Sequence, residues 1–339
     1  MSAFLDDQST HVGSDSREKL SLYSRLVGLL NARLSLPLVY AGCHRILADS
    51  MPASNMFICI YERDGLRFPY YVDEEFQESS WDLFPKEGLT AWVIDTRKRY
   101  WMSVDPSPPA GYSPQGPMCV DWLGVPILDR DGKVLGVLAV QTYKPGERYA
   151  ERDVRFIEDA SRILALAIQL SRLDREIAVH RIATMVQETV EIGTLYSMIH
   201  DALKPVVPAA RRNFLIARVH EAAGVFRPEY WVDEHDDYGT MHWPLTSGFS
   251  GYIYHVSKAS FIYENGKVPI PPEVKPIGTA MAYWLGVPLI DQGRIIGIIV
   301  IQSYDGDDVI TREDEYVIND MAPYITESIL RMELLERLR

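Results

Sequence analysis

Apolar residues recur along this chain at two spacings, and the spacings fall in separate blocks. Leu20, Tyr23, Leu26, Val27 and Leu30 step by threes and fours, predicting a helix from Ser16. A second helix is predicted from Pro37 to about Asp49, because proline's missing N–H costs nothing in a first turn. Asn55–Tyr61 (NMFICIY) reads as a strand, Asp64-Gly65 as a turn, and Phe68–Val72 as the antiparallel partner. Gly88-Leu-Thr-Ala-Trp-Val-Ile predicts an amphipathic helix that ends near Lys98 and leads into a short aromatic strand, Tyr100-Trp101-Met102. An irregular stretch with Pro106, Pro108, Pro109, Pro114 and Pro117 follows. The block closes on Trp122–Tyr143, WLGVPILDRDGKVLGVLAVQTY, a hairpin whose turn is Asp129-Arg130-Asp131-Gly132. The glycine inside its second strand, Gly136, marks a close backbone approach.

The whole block then recurs. Trp284–Tyr304, WLGVPLIDQGRIIGIIVIQSY, repeats the hairpin with the turn Asp291-Gln292-Gly293 and the internal Gly297. Asn213-Phe-Leu-Ile-Ala-Arg-Val answers Asn55–Tyr61, and Tyr230–Glu234 (YWVDE) answers Tyr70–Glu74 (YYVDE). Gly248-Phe-Ser-Gly-Tyr-Ile-Tyr ends near Lys258 and precedes Phe261-Ile262-Tyr263, and a second proline stretch carries Pro269, Pro271, Pro272 and Pro276. The chain is therefore a tandem duplication. Long stretches without regular structure are usually lids or disordered segments, and these two feed directly into the sheet, where they can cover a pocket.

Two long helices frame the second copy. Between the copies a helical stretch is predicted over about 151–203, with Ile163, Leu166, Leu170, Leu173 and Ile177 at coiled-coil spacing. At the end Ile318, Met321, Ile325, Ser328, Met332 and Leu335 step the same way, with Pro323 expected to kink this helix or lie in its first turn. Packing on the adjacent sheet accounts for part of each seam. Both run beyond what one sheet can cover, which points to helix-to-helix dimerisation through Ile163, Leu166, Leu170, Leu173, Ile177, Ile325, Met332 and Leu335.

Composition narrows the function classes. In 339 residues, 47% are hydrophobic and 24% charged, as in a folded chain of two ordinary domains. A net charge of -13 without a basic stripe argues against nucleic acid as a partner. No apolar run reaches the roughly 20 residues of a membrane span, and no signal peptide is visible, so a cytoplasmic protein with no membrane partner is expected. Cys43, Cys59 and Cys119 are isolated, which fits a reducing compartment and neither disulfides nor a zinc site. Residues 1–15, rich in Ser, Asp, Thr and Gly, are expected to be mobile.

The paired Trp-Leu-Gly-Val-Pro … Gln-(Ser/Thr)-Tyr hairpins, the Tyr-x-Val-Asp-Glu strings, the Gly-Leu-Thr helix and the Asn-Phe strand resemble a tandem GAF sensory module. The subtype is the one found N-terminal to bacterial diguanylate cyclases and sensor histidine kinases. The resemblance implies an α+β fold of two GAF domains. Each has a central antiparallel sheet of about six strands, terminal helices on one face and a ligand cavity under loops on the other. The expected layout is a first domain over 16–165, a connecting helix over 151–203 shared by both, and a second domain over 180–339 ending in a signalling helix. The resemblance further implies parallel homodimers that relay ligand binding to an effector, a diguanylate cyclase or a histidine kinase. The helical ending at Glu333-Leu-Leu-Glu-Arg-Leu-Arg leads us to expect the N-terminal sensory part of a longer protein.

No cyclase, phosphodiesterase, kinase or phosphate-loop motif occurs, so no catalytic residue and no enzyme activity are expected of this chain. The ligand and any cofactor stay unknown. The Asn-Lys-x-Phe-x3-Asp-Glu pattern of cyclic-nucleotide binders is missing, and Asn55 and Asn213 read as turn residues. Cys119 is followed by Val120-Asp121 rather than the histidine of bilin-binding members. His220, His235, His242 and His255 lie at no metal-ligand spacing and read as surface residues. A thiol reductase of this fold, which needs a second cysteine beside Cys119, and a ligand-free dimerisation scaffold stay open as alternatives. The candidate ligand-binding residues are Tyr71, Trp92, Trp101, Cys119, Trp122 and Gln141 in the first copy. In the second they are Trp231, Tyr252, Tyr263, Trp284 and Gln302. Trp122 and Trp284 serve equally well as core, and each Gln as a partner for adjacent backbone.

Overall fold

Buried apolar runs separated by turn residues have to pair with one another, and in this chain they do so twice. The structure, a computed structural model, describes residues 20–32, 34–62, 65–75, 84–113, 116–188 and 191–337. The expected mobile N-terminus, Asp64 and Pro114 lie outside the described residues. Helix α1 (residues 20–31) and α2 (Leu36–Ala48, with Pro37 in its first turn) lead into β1 (Asn55–Glu62), β2 (Gly65–Val72) and β3 (Phe84–Pro85). Next come α3 (Gly88–Thr96), β4 (Tyr100–Trp101), β5 (Asp121–Leu128), β6 (Val134–Thr142) and the helix α4 (Glu151–Glu188). The second round is α5 (Ile192–Leu203), β7 (Phe214–His220), β8 (Val225–Val232), β9 (Trp243–Pro244) and α6 (Gly248–Tyr252). It ends with β10 (Phe261–Glu264), β11 (Tyr283–Asp291), β12 (Arg294–Ser303) and α7 (Arg312–Arg337).

The fold is α+β, with two six-stranded antiparallel sheets. The first has the order β3-β2-β1-β6-β5-β4 and the second β9-β8-β7-β12-β11-β10, the same path traced by the repeat. By contacts the chain divides into the units Met1–Ser171 and Arg172–Arg339.

The shared glycines and prolines have definite tasks. A Cβ on Gly136 would lie 1.9 Å from the carbonyl oxygen of Cys59, so β6 meets β1 only because this residue has no side chain. A Cβ on Gly124 would lie 2.1 Å from the Trp122 ring, and one on Gly286 2.2 Å from the Trp284 ring. In both copies of Trp-Leu-Gly the indole thus folds over the glycine two residues on. Pro69 and Pro228 sit where β2 and β8 slip register against β1 and β7, so the missing N–H falls at an irregularity in each ladder.

Strand alternation gives each sheet two apolar faces. In the first unit one face carries Ile58, Leu123 and Leu138 against Leu26 of α1, Leu47 of α2, and Ile157, Leu164 and Ile168 of α4. Each such fully buried aliphatic side chain contributes about 1.5–3 kcal/mol. The other face carries Phe57, Trp122, Val137 and Ala139 under Leu89 and Val93 of α3. In the second unit Phe226, Trp284, Ile298 and Val300 pack beneath Phe249 and Ile253.

The helices depart from expectation in two ways, and one open choice is decided. The stretch over 151–203 is not continuous: α4 ends at Glu188, and Glu191 is extended (φ -127°, ψ 126°) before α5 begins. The break lets α5 pack on β8, as the break between α1 and α2 lets α2 pack on β2. Of the two expectations for Pro323, the first turn is ruled out: it lies inside α7. The predicted seam also divides. Ile163 (2% exposed), Ile325 (0%) and Met332 (2%) are core, which removes them from any dimer surface, whereas Leu166, Leu170, Leu173, Ile177 and Leu335 are exposed.

Candidate functional site

The face under α3 gathers aromatic side chains because β1, β2, β5 and β6 each send alternate residues there. Tyr71 stacks on Phe57 at 5.9 Å between ring centroids, and Trp92 meets Tyr100 edge-on at 5.5 Å. Trp122 lies 6.0 Å from Tyr100, and Cys119 packs against the same cluster. Gln141 shares this face by strand alternation with Val137 and Ala139. Trp101 does not join them. It packs with the helix-side cluster and directs its indole N–H toward Asp121 Oδ2 at 3.4 Å, so the aromatic that β4 supplies here is its neighbour Tyr100. In the second unit Trp231, Tyr252, Tyr263 and Trp284 do come together, around Phe249, which lies 5.0 Å from Tyr263 and 5.1 Å from Trp284.

Each glutamine belongs to a side-chain network rather than capping backbone. Gln141 donates through Nε2 to Asp73 and to the Tyr143 hydroxyl (2.9 Å), and that hydroxyl donates to Asp73 Oδ2 (3.1 Å). The repeat rebuilds this with Gln302 Nε2 to Asp233 Oδ2 at 2.7 Å and Tyr304 to Asp233 at 2.8 Å, and adds Tyr238 and Asp236. Asn55 and Asn213 anchor the same corner, their Oδ1 atoms accepting the backbone N–H of Glu74 and Glu234 at 2.8 and 3.0 Å. Burial, reinforced by the neighbouring aspartates, raises the Tyr143 and Tyr304 phenols far above their ordinary range, so both act as hydrogen-bond donors.

The copies differ where the proline stretches rejoin the sheet. Asp121, fully buried, accepts from Ser103 N–H (3.0 Å) and Oγ (2.7 Å), Trp122 N–H (3.0 Å) and Tyr149 N–H (3.0 Å). It ties the first loop and the approach to α4 to β5. In the second copy Tyr283 stands there and donates to Glu264 at 2.9 Å, while Asp236 accepts from the Thr279 hydroxyl at 3.0 Å. Cys119 is half-buried. Burial, with Asp121 and Asp73 nearby, pushes its thiol up to about 11, so the sulfur is protonated at neutral pH.

Sequence reasoning passed over two histidines. His200 accepts the Tyr230 hydroxyl at Nδ1 (2.9 Å) and donates from Nε2 to the Ala210 carbonyl (2.6 Å). His44, Tyr70 and Ala53 repeat this at 2.8 and 2.6 Å. The carbonyl fixes the proton on Nε2, which leaves Nδ1 as the acceptor. Both trios lie on the helix side of their sheets. Their signal was a histidine in the helix before each Asn-Phe or Asn-Met strand. His235, expected at the surface, is exposed and packs edge-on to Tyr304 at 4.4 Å. Among the described residues no cluster of His, Cys, Asp and Glu could hold a metal, and no helix is long and apolar enough to cross a membrane.

Residues 39–169 match the GAF_2 family model, described as a GAF domain. Solved structures similar to the chain include the GAF domain from an Acinetobacter phosphoenolpyruvate-protein phosphotransferase, at 21% identity and TM-score 0.39, covering 46% of this chain and 95% of that one. The GAF domain of the Coxiella burnetii phosphoenolpyruvate-protein phosphotransferase is 15% identical, with TM-score 0.39 and coverage of 49% and 98%. Free methionine-R-sulfoxide reductase from Neisseria meningitidis, in complex with its substrate, is 14% identical, with TM-score 0.40 and coverage of 49% and 93%. No curated protein matches the chain. Within the matched residues, the aromatic face under α3 and the Asp73–Gln141–Tyr143 network form the candidate site.

Proposed function

We propose that the chain is a non-catalytic sensory module: two GAF domains in tandem that bind a small ligand and relay its presence through paired helices. The first α4 residues are the floor of the GAF domain's sheet, and the same helix carries an exposed apolar stripe. That observation carries the reading. Ile163, Leu164 and Ile168 are buried under the sheet, while Leu166, Leu170, Leu173 and Ile177 on the same helix face outward. A ligand on the far side of the sheet that favours one sheet geometry over another therefore biases the helix that pairs with a second copy. The protonated Cys119 thiol supports a binding role over thiol reduction. The effector served is a diguanylate cyclase in this reading, or a histidine kinase, in keeping with the resemblance of the hairpins; both domains are cytoplasmic.

A metabolite library screened by thermal shift tests this. Compounds that raise the melting temperature are expected to change the dimer dissociation constant by at least about fivefold, the lower end of ordinary allosteric coupling. Compounds that stabilise the protein and leave that constant unchanged would reduce the chain to a binding scaffold.

A further inference from the structure

In the second unit a side chain already fills the place between the aromatic face and the glutamine network. Tyr238 belongs to no strand; it lies in the loop over 233–242, between β8 and β9. Its half-buried ring packs within the cluster of Trp231 and Phe249, 6.3 Å from Trp243 between centroids. Its hydroxyl lies 3.3 Å from Gln302 Nε2. That amide has two protons, and Asp233 Oδ2 at 2.7 Å and the Tyr304 hydroxyl are nearer. Tyr238 is therefore the partner that the network holds least. The loop that carries it is closed by its own turns. His235 and Asp236 N–H donate to Asp233 Oδ1 at 2.9 Å, and Gly239 N–H to Asp237 Oδ1 at 3.0 Å. An exposed tie joins it to the end of the second proline stretch, where the Thr279 hydroxyl donates to Asp236 Oδ1 at 3.0 Å. Such a loop opens without unpairing a strand.

Resting on the sensory reading above, we infer that Tyr238 holds the ligand's place, and that the second unit takes a small hydroxyaromatic molecule when this side chain swings out. A phenol reproduces both contacts that Tyr238 makes: a flat ring against Trp243 and a hydroxyl at Gln302. The polar end of the slot also sets the ligand's charge. Asp233 and Asp236 both accept from the Tyr304 hydroxyl there, at 2.8 and 3.3 Å, so a carboxylate or phosphate in the same place would meet two carboxylates. Burial, with Asp233 and Asp236 beside it, raises the Tyr238 phenol far above its ordinary range against the pull of Gln302, and a bound phenol keeps its proton for the same reason. Because the loop has to open first, the native chain binds more weakly than one whose slot is already vacant.

Calorimetric titration of para-cresol into the whole chain tests the inference. The native chain is expected to bind it, and Tyr238→Ala to bind it at least about tenfold more tightly. Toluene, which lacks the hydroxyl, and benzoate, which brings a charge, are each expected to bind at least about fivefold more weakly than para-cresol. Thr279→Val, an exposed change that leaves the ring in place, removes the tie and is expected to tighten para-cresol binding at least about twofold. A native chain that binds no para-cresol at millimolar concentration would overturn the inference. So would Tyr238→Ala and Thr279→Val variants that bind no more tightly than the native chain, or toluene or benzoate bound as tightly as para-cresol. Each of these results leaves the sensory reading to its own test. Para-cresol that binds as expected and leaves the dimer dissociation constant unchanged would instead overturn the relay and leave this assignment standing.

Discussion

Single residues carry constraints that the strand pattern alone does not show. A Cβ on Gly136 would lie 1.9 Å from the Cys59 carbonyl oxygen, whereas one on Gly297 would lie 2.8 Å from its nearest backbone oxygen, on Ala217, a milder clash. Gly136→Ala is therefore expected to cost about 3 kcal/mol, at the upper end for overpacking, and Gly297→Ala nearer 1 kcal/mol. Urea denaturation of the two variants checks that ranking. His200 titrates in a definite direction. Burial lowers it from 6.5, so its contribution to stability is complete above that value and is lost as pH falls through the lowered one. His200→Gln is expected to be less stable than the native chain at pH 7.5 and to lose less on going to pH 5, as read from denaturation midpoints. At this scale the sequence showed which residues are shared, and strand alternation put Tyr71, Trp122 and Gln141 on one face. It misplaced Trp101, because a two-residue strand offers no alternation to read. The Asp73 and Asp233 networks join strands far apart in sequence, so no local spacing could reveal them.

Among the elements, the hairpins were legible because glycine and aspartate turns bound each apolar run. The interruption at Glu191 was not, although Thr189, Val190, Ile192 and Gly193 around it are weak helix formers; beyond it α5 docks against β8. Helix starts follow local chemistry. In α4 the Asp153 carboxylate accepts the Ala150 N–H at 2.8 Å, and in α7 Asp314 accepts the Thr311 N–H at 2.7 Å and its hydroxyl at 2.8 Å. Asp314 is wholly buried. Desolvation raises it from 3.8 to about 7, against the pull of Thr311 and Arg175. A carboxyl raised on folding adds stability that is complete below about pH 3.8 and is lost as pH rises through about 7. Asp314→Asn is thus expected to remove the native protein's decline in stability between those values. A variant whose pH profile parallels the native one would show that Asp314 titrates normally.

For the molecule as a whole, the central proposition is that α4 belongs at once to a sensing sheet and to a contact with a second copy. The spacing of the seam was plain in the sequence, but its division was not. Ile163 and Leu166 are equally apolar, and only the sheet's position decides that one is 2% and the other 37% exposed. Leu170 and Leu173, at 52% and 51%, touch solvent rather than core, so replacing them should leave the fold's stability within about 0.5 kcal/mol. Sedimentation equilibrium of the whole chain beside the Leu170→Glu/Leu173→Glu variant is the most direct measurement. A native dimer is expected to become a monomer in the variant, with an unchanged far-UV circular dichroism spectrum. A native chain that stays monomeric at tens of micromolar, or a variant that dimerises as tightly as the native chain, would contradict the account.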